Sequence, residues 1–333
     1  MSTFGLDIGS HSIKVIQLAR EGKNVRLIAA GVASSPPKGM SSEAEQDLLQ
    51  VSEVIKKLVT DAKIATRQVV FALPEPLVFT RLISFPPLSD EEVNSAVEWQ
   101  AEGYIPVPKK DAVLDHEIVK RTDKGVEVLL VATARRAVDK YMKIVQGAGL
   151  TSVAIETELI ALTRSIAPAG KTALIIDFGA ASTDVAVSVD KQVMFTRSIP
   201  VGGQALTRAV AQGIGVEATQ AEEYKRTYGL TASLEGKVKQ ALTPVISSLL
   251  GELKKAVGFW QQEHADSPVE VAVVTGGTAG LPEIAPSITA SLGLEVTIGN
   301  PFGAIVRDPR VAQTLDPYAP LYAIAVGLAL RGV

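Results

Sequence analysis

The stretch Leu6-Asp7-Ile8-Gly9-Ser10-His11-Ser12-Ile13-Lys14-Val15 decides the fold, because the chain writes it a second time as Ile176-Asp177-Phe178-Gly179-Ala180-Ala181-Ser182-Thr183-Asp184-Val185. In each copy an apolar strand reaches an Asp, one residue intervenes, and a Gly with small or hydroxylated neighbours turns the chain into a second apolar strand. The pattern reads as a β-hairpin with a polar tip. Gly at such a turn admits positive φ and a close approach to the backbone, and successive N–H groups there form a concave nest for an anion. Two tips facing one another hold a polyphosphate from both sides. The Asp before each Gly then stands where a hard cation would bridge the phosphates, and Mg²⁺ takes one or two carboxylates plus waters and phosphate oxygens.

Either tip alone is an ordinary turn. The repetition runs further, however. Val15-Ile16-Gln17-Leu18-Ala19 leads through a polar turn into a strand over 25–30, and Val185-Ala186-Val187-Ser188-Val189 leads through a turn at 190–192 into a strand over 193–198. A whole hairpin duplicated once per half of the chain predicts two similar lobes with the tips meeting at the cleft.

The two tips resemble those of the actin-like ATPase superfamily, which includes actin, the DnaK-type chaperones, sugar kinases and bacterial FtsA. The resemblance implies a two-lobed α/β fold of the ribonuclease H-like kind, with ATP and Mg²⁺ between a phosphate 1 and a phosphate 2 element. Asp7, Gly9, Ser10, Ser12 and Lys14 match phosphate 1, with Lys14 where an ammonium reaches the phosphates. Asp177, Gly179, Ala180, Ser182 and Thr183 match phosphate 2. Asp7 and Asp177 are the implied metal-binding carboxylates.

Bulk properties fit. With 333 residues, 47% hydrophobic and 21% charged, the chain is of ordinary globular composition and long enough for two lobes. A net charge of −3 offers no basic field, so nucleic acid is not the expected partner. The chain has no cysteine, which rules out disulfides, thiolate catalysis and Cys-type zinc sites. The first residues lack the regions of a signal peptide, and the longest apolar run, 321–330, is far short of the ~20 residues of a membrane helix. A cytoplasmic protein without membrane insertion is expected.

In chain order, apolar spacing predicts an amphipathic helix over 43–62, a buried strand over 68–73 and a strand over 77–84. Ser89 and Glu92 form a capping box for a helix to about Gly103, stopped by Pro106 and Pro108. Strands over 113–119 and 126–134 and a helix over 135–147 complete a small α/β insertion, 79–147, inside the first lobe. A strand over 151–156 and a helix over 157–166 follow, and after the second hairpin a helix near Ala205 and another over 217–228. A long helix over 247–264, a strand over 269–275, a helix from about Pro282, loops at 300–302 and 307–309, and a last helix over 319–331 complete the reading.

The string Ser95-Ala-Val-Glu-Trp-Gln-Ala-Glu-Gly-Tyr-Ile-Pro-Val-Pro108 with Leu114-Asp115 is similar to the corresponding segment of the PilM family of type IV pilus assembly. So are Val128-Leu-Leu-Val-Ala-Thr-Ala134, Glu222-Glu-Tyr-Lys-Arg-Thr-Tyr-Gly229 and Ala325-Val-Gly-Leu-Ala-Leu-Arg-Gly332. The likeness covers nearly the whole chain. The side chains of Trp99, Tyr104 and Ile105 read as core packing at a helix end.

The superfamily likeness extends to other positions. Glu156 lies where a polar residue orients the attacking water, or else it caps the following helix. Gly203, in Gly202-Gly203 before a helix, flanks phosphate or serves as a cap. Glu222, Lys225 and Arg226 share a helix face, by default a solvated salt-bridge set, and the string resembles the helix that holds ribose and base in DnaK-type chaperones. Gly276, Gly277 and Thr278 match the adenosine motif. The implied domains are 1–170 with phosphate 1, 171–318 with phosphate 2 and the adenosine motif, and 319–333 as a helix returning to the first lobe.

The family resemblance implies an ATP-binding cytoplasmic scaffold with slow or no hydrolysis. Its partners are the N-terminal peptide of a PilN-type membrane protein and a pilus motor ATPase, which recruit it to the inner face of the membrane; self-association is left open. An FtsA-like division protein is the alternative, weakened by the lack of a basic amphipathic C-terminal helix. A small-molecule kinase of the same superfamily needs a carboxylate base facing an acceptor. Asp111, Asp115 and Glu117 in the insertion follow no kinase pattern.

Overall fold

The computed structural model describes residues 2–333. The chain divides into two compact units. One holds the chain up to Ser165 with Gln192–Thr196 and Ile324–Val333; the other holds Ile166–Lys191 and Arg197–Ala323.

In the first unit β1 (Phe4–Ile8) and β2 (Ser12–Glu21) form the first hairpin, followed by β3 (Asn24–Ser34), α1 (Glu45–Asp61) and β4 (Gln68–Leu73). Next come β5 (Val78–Phe85), α2 (Asp90–Gln100), β6 (Ala112–Thr122), β7 (Gly125–Ala134), α3 (Arg135–Gly147), β8 (Thr151–Thr157) and α4 (Glu158–Ile166). The main sheet runs β3-β2-β1-β4-β8. β1 to β3 are antiparallel, while β4 is parallel to both β1 and β8. Phe4, Leu6, Ile13 and Val15 bury one face against Val51 and Ile55 of α1 and Tyr141 and Ile144 of α3. The other face meets the C-terminal helix. A Cβ on Gly5 would collide with the backbone of Ala325 and Ala329, so the approach requires glycine.

The insertion is an antiparallel sheet in the order β5-β7-β6 with α2 on one face. Its own core joins Ile83, Phe85, Val128 and Leu130 to Val93, Val97 and Ala101 of α2 and its extension. The Ser89–Glu92 capping box forms as the sequence specifies. One expectation fails here. Ile105 is buried, but Trp99 is 82% exposed, because the apolar stripe of α2 is Val93-Val97-Ala101 and Trp99 falls off it.

In the second unit β9 (Thr172–Phe178) and β10 (Thr183–Val189) form the second hairpin. They are followed by β11 (Gln192–Ile199), α5 (Gly203–Ile214), α6 (Ala218–Tyr228), α7 (Lys237–Glu263), β12 (Val271–Thr275), α8 (Ile284–Leu292) and β13 (Glu295–Ile298). β10-β9-β12-β13 are neighbours, β9 antiparallel to β10 and parallel to β12. The same order, second hairpin strand, first hairpin strand, parallel strand, appears as β2-β1-β4 in the first unit, so the duplication extends beyond the tips.

Three boundaries differ from the sequence reading. α7 begins at Lys237 rather than 247 and carries Pro244 inside. The buried stripe Val238, Leu242, Ile246, Leu249, Leu253 continues through the proline, and that packing outweighs one lost hydrogen bond. A short helix α9 (Pro309–Leu315) stands where a loop was expected, its start set by Asp308, whose side chain accepts from the Arg310 N–H. The last helix is shorter than expected. Residues Asp316–Tyr322, with Pro317 and Pro320, form a 3₁₀ turn, and α10 covers only Ala323–Leu330.

Candidate functional site

The two tips are built alike. Ile8 pairs with Ile13 and Phe178 with Thr183, leaving four-residue turns from Gly9 to Ser12 and from Gly179 to Ser182. A Cβ on Gly9 would lie 2.9 Å from the Ser12 carbonyl oxygen, and one on Gly179 3.0 Å from that of Ser182. Neither glycine has positive φ, so close backbone approach rather than a left-handed turn selects them. The first turn is braced from just past the end of β3: the Ser35 hydroxyl donates to the Gly9 carbonyl at 2.7 Å. Ser10 is exposed at the tip and Ser12 half-buried.

One step down each ladder the hairpins diverge. Asp7 stands opposite Lys14, and their side chains form a buried ion pair of 2.9 Å. Asp177 stands opposite Asp184 instead. Burial pushes the Asp184 carboxyl above the usual carboxylate range, against the lowering by hydrogen bonds from Ser198 and Ser182. One Asp184 oxygen accepts from the Ser182 hydroxyl at 2.7 Å, while Oδ1 is buried with no hydrogen-bond partner. Oxygens of Asp177 and Asp184 lie within 4.8 Å of one another. Two adjacent carboxylates with an unfilled buried acceptor fit a hard divalent cation such as Mg²⁺. Asp7 is already balanced by Lys14. Sequence reading passed over Asp184. The signal was the seven-position spacing between the two Asp, which a four-residue turn converts into a cross-strand pair.

The second tip is backed by two further turns. The N–H groups of Gly203 and Gln204 donate to the carbonyls of Gly179 and Ala180, each at 2.9 Å. These first donors of α5 therefore face the tip rather than an open anion site, and Gly203 serves by close approach. A Cβ there would lie 2.6 Å from Thr278 Oγ1. Thr278 reaches the tip twice, its N–H donating to Phe178 O at 3.0 Å and its hydroxyl to Gly179 O at 3.1 Å. Gly276 has φ +90°, and a side chain there would also collide with Asp177 Oδ1, so only glycine fits. Gly277 is exposed and Thr183 buried, its hydroxyl on Val201 O at 2.6 Å.

Glu222 and Lys225 join this cluster. The Lys225 ammonium, 5% exposed, donates to Gly203 O at 3.1 Å, to the Thr207 hydroxyl at 3.0 Å and to Glu222 at 2.6 Å. Desolvation pulls the Lys225 ammonium below its ordinary range, countered by Glu222. Burial raises the Glu222 carboxyl, but hydrogen bonds from Lys225 and Thr207 outweigh it and hold the group low. Thr207, absent from the sequence reading, bridges the pair, its Oγ1 2.5 Å from Glu222. Arg226 lies 3.5 Å from Glu222 and is exposed. The second tip, Gly203, the turn at 276–278 and the Glu222–Lys225 pair thus form one continuous polar cluster.

Glu156 is placed otherwise. It is buried, and both its oxygens accept from Arg164 at 2.7 Å, with Arg331 on one of them as well. The N–H of Ile160 is capped by Thr157 at 3.1 Å, so Glu156 does not cap α4. Its carboxylate ties β8 to α4 and the C-terminal segment.

Among the described residues no helix is long and apolar enough to cross a membrane. The family model described as "Type IV pilus assembly protein PilM" matches residues 5–333. A solved structure titled "PilM-PilN type IV pilus biogenesis complex" is 30% identical with a TM-score of 0.88, covering 100% of this chain and 99% of that one. Cell division protein FtsA of Enterococcus hirae is 25% identical over 359 residues, 94% of this chain and 81% of that protein. Ethanolamine utilization protein EutJ from Carboxydothermus hydrogenoformans shares the fold, with 17% identity, a TM-score of 0.60, and coverage of 99% of this chain and 89% of that one.

Proposed function

Because the chain belongs to the type IV pilus assembly protein PilM family, we propose that it is an ATP-binding scaffold of pilus assembly whose nucleotide state governs its grip on the N-terminal tail of a PilN-type inner-membrane protein. The observation that carries the nucleotide reading is the contact of Gly179, Gly203, Thr278, Lys225 and Glu222 in a single cluster. In it Gly179, Ala180 and Ser182 receive phosphate, while Thr183 braces the tip from within through its hydroxyl on Val201 O; Gly276, Gly277 and Thr278 let the adenine ring approach the backbone, and Glu222 and Lys225 hold ribose and base. For the first hairpin, the family resemblance implies phosphate contacts at Gly9, Ser10, Ser12 and Lys14. Asp177, with Asp184 beside it, would hold Mg²⁺, which neutralises phosphate charge when bound.

Turnover is slow in this reading. The residue in the water-orienting position, Glu156, is held by two guanidinium groups, and nothing in the insertion follows a kinase pattern. The domain roles follow: 1–170 carries phosphate 1 and, through 79–147, partner contacts; 171–318 carries phosphate 2 and adenosine; 319–333 belongs with the first. The protein works in the cytoplasm, brought to the inner membrane face by its partner, with a motor ATPase as second partner.

The FtsA-like reading shares the fold, but the PilM family match spans the chain from residue 5 onward. The test is calorimetry with a PilN-type N-terminal peptide in the presence and absence of Mg-ATP. Nucleotide-dependent affinity supports the reading, and identical affinity with and without Mg-ATP contradicts it.

A further inference from the structure

Trp99 is one of two tryptophans in the chain, and the structure treats them oppositely. Trp260 is 2% exposed with its indole N–H on Ser267 O, whereas Trp99 is 82% exposed. Trp99 does not sit on a loose loop. α2 is anchored by its capping box and by Val93, Val97 and Ala101, so the indole is held outward by a rigid helix. Trp is among the side chains that most often anchor a protein–protein interface.

The surroundings say what it binds. Across 89–104 the chain carries Asp90, Glu91, Glu92, Glu98 and Glu102 and no Lys or Arg. Asp90 is paired with Arg121, but among the described residues Glu91, Glu98 and Glu102 make no ion pair. Glu102 lies three positions beyond Trp99 and four beyond Glu98, so its side chain falls beside both. The Lys109 ammonium donates to the Glu98 backbone carbonyl at 2.8 Å, and among the described residues it makes no ion pair with the Glu98 carboxylate. The insertion also shows what its aromatic rings accept: the Arg81 guanidinium lies 4.3 Å from the centre of the Tyr104 ring. Trp99 has no such cation over it among the described residues, although indole is the strongest cation–π acceptor of the side chains.

We propose that Trp99, with Glu98 and Glu102, is a docking site for a basic peptide segment of a protein partner, an Arg or Lys side chain lying over the indole while neighbouring cations meet the carboxylates. The site adds a surface on α2 to the partner role proposed for the insertion and depends on neither nucleotide nor its binding.

The test uses the full chain and tryptophan fluorescence, which reports Trp99 because Trp260 is shielded. The probes are a ten-residue peptide of alternating Arg and Ala and the same peptide with citrulline in place of Arg. The expected result is a saturable fluorescence change with the Arg peptide that weakens with salt, at least tenfold weaker binding in a Glu98→Gln/Glu102→Gln variant, and none by calorimetry in Trp99→Ala. Trp99→Ala should melt with the parent, since the side chain is in water. Equal binding of the citrulline peptide, unchanged binding by Trp99→Ala, or no binding to the parent overturns the proposal. A fluorescence shift that follows protein concentration without peptide and disappears in a dilute sample assigns the face to a second copy, and overturns it too.

Discussion

Asp7 and Lys14 face each other across the first hairpin, 2.9 Å apart and both buried, so the residue expected to hold metal and the residue expected to hold phosphate are each other's partner. Removing either leaves a buried charge alone. Lys14→Ala should cost about 3–5 kcal/mol of stability. Asp7→Ala/Lys14→Ala should cost clearly less than the sum of the single variants. Chemical denaturation of the four proteins checks this, and additive losses would show that the pair is not coupled. Because the singles also lose stability, their Mg-ATP affinity should be measured well below their melting temperatures. Lys14→Ala is expected to bind more weakly, having lost a charge-assisted donor.

In the second unit Glu222 is held in its charged form by Lys225 and Thr207 against its burial. A carboxylate whose folded pKa is lowered adds stability above its unfolded pKa, and that contribution is lost as pH falls below about 4.5 through the folded value. Glu222→Gln should therefore be less stable than the parent at neutral pH, by about 1 kcal/mol after discounting for its partial exposure. The gap should close in acid. Urea unfolding at pH 7 and near pH 4 checks it, and a gap that widens in acid would reverse the assignment.

Gly276 and Gly280 lie four residues apart in the same turn region but differ in what surrounds them. Gly276 has φ +90° and no room beside Asp177, while a Cβ on Gly280 meets nothing within 4 Å. Gly276→Ala should cost more than about 1 kcal/mol and abolish Mg-ATP binding. Gly280→Ala should stay within about 0.5 kcal/mol of the parent. Equal melting curves for the two variants would remove the case for a glycine requirement at the turn.

The duplicated tips made the fold legible, because a hairpin with Asp, a spacer and Gly is written in consecutive residues and its recurrence needs no tertiary information. The same holds for the Ser89–Glu92 capping box and for Asp308-Pro309, a helix start that was present in the sequence and passed over. What sequence did not supply depends on distance in space. Trp99 reads as core until the buried stripe of α2 is known, and the helix read from 247 extends back through Pro244 to Lys237 only once the packing of α7 is known. Thr207 lies fifteen residues from Glu222, and only the packing of α5 on α6 brings them together. Asp184 needed the turn length to be known before it could be set opposite Asp177.

That the protein binds ATP stably and turns it over slowly is tested most directly by a thermal melt with Mg-ATP paired with phosphate release from the same sample. A ligand at a hundredfold its Kd stabilises the folded state by ~2.7 kcal/mol, and for units of this size each kcal/mol moves Tm by roughly 2–4 °C. The expected result is a clear upward shift, reduced in Lys14→Ala and reduced less in Glu222→Ala and Lys225→Ala, with phosphate release far below the ~10 s⁻¹ of a median enzyme. The absence of any shift, or turnover near that rate by the isolated protein, would contradict stable binding with slow turnover.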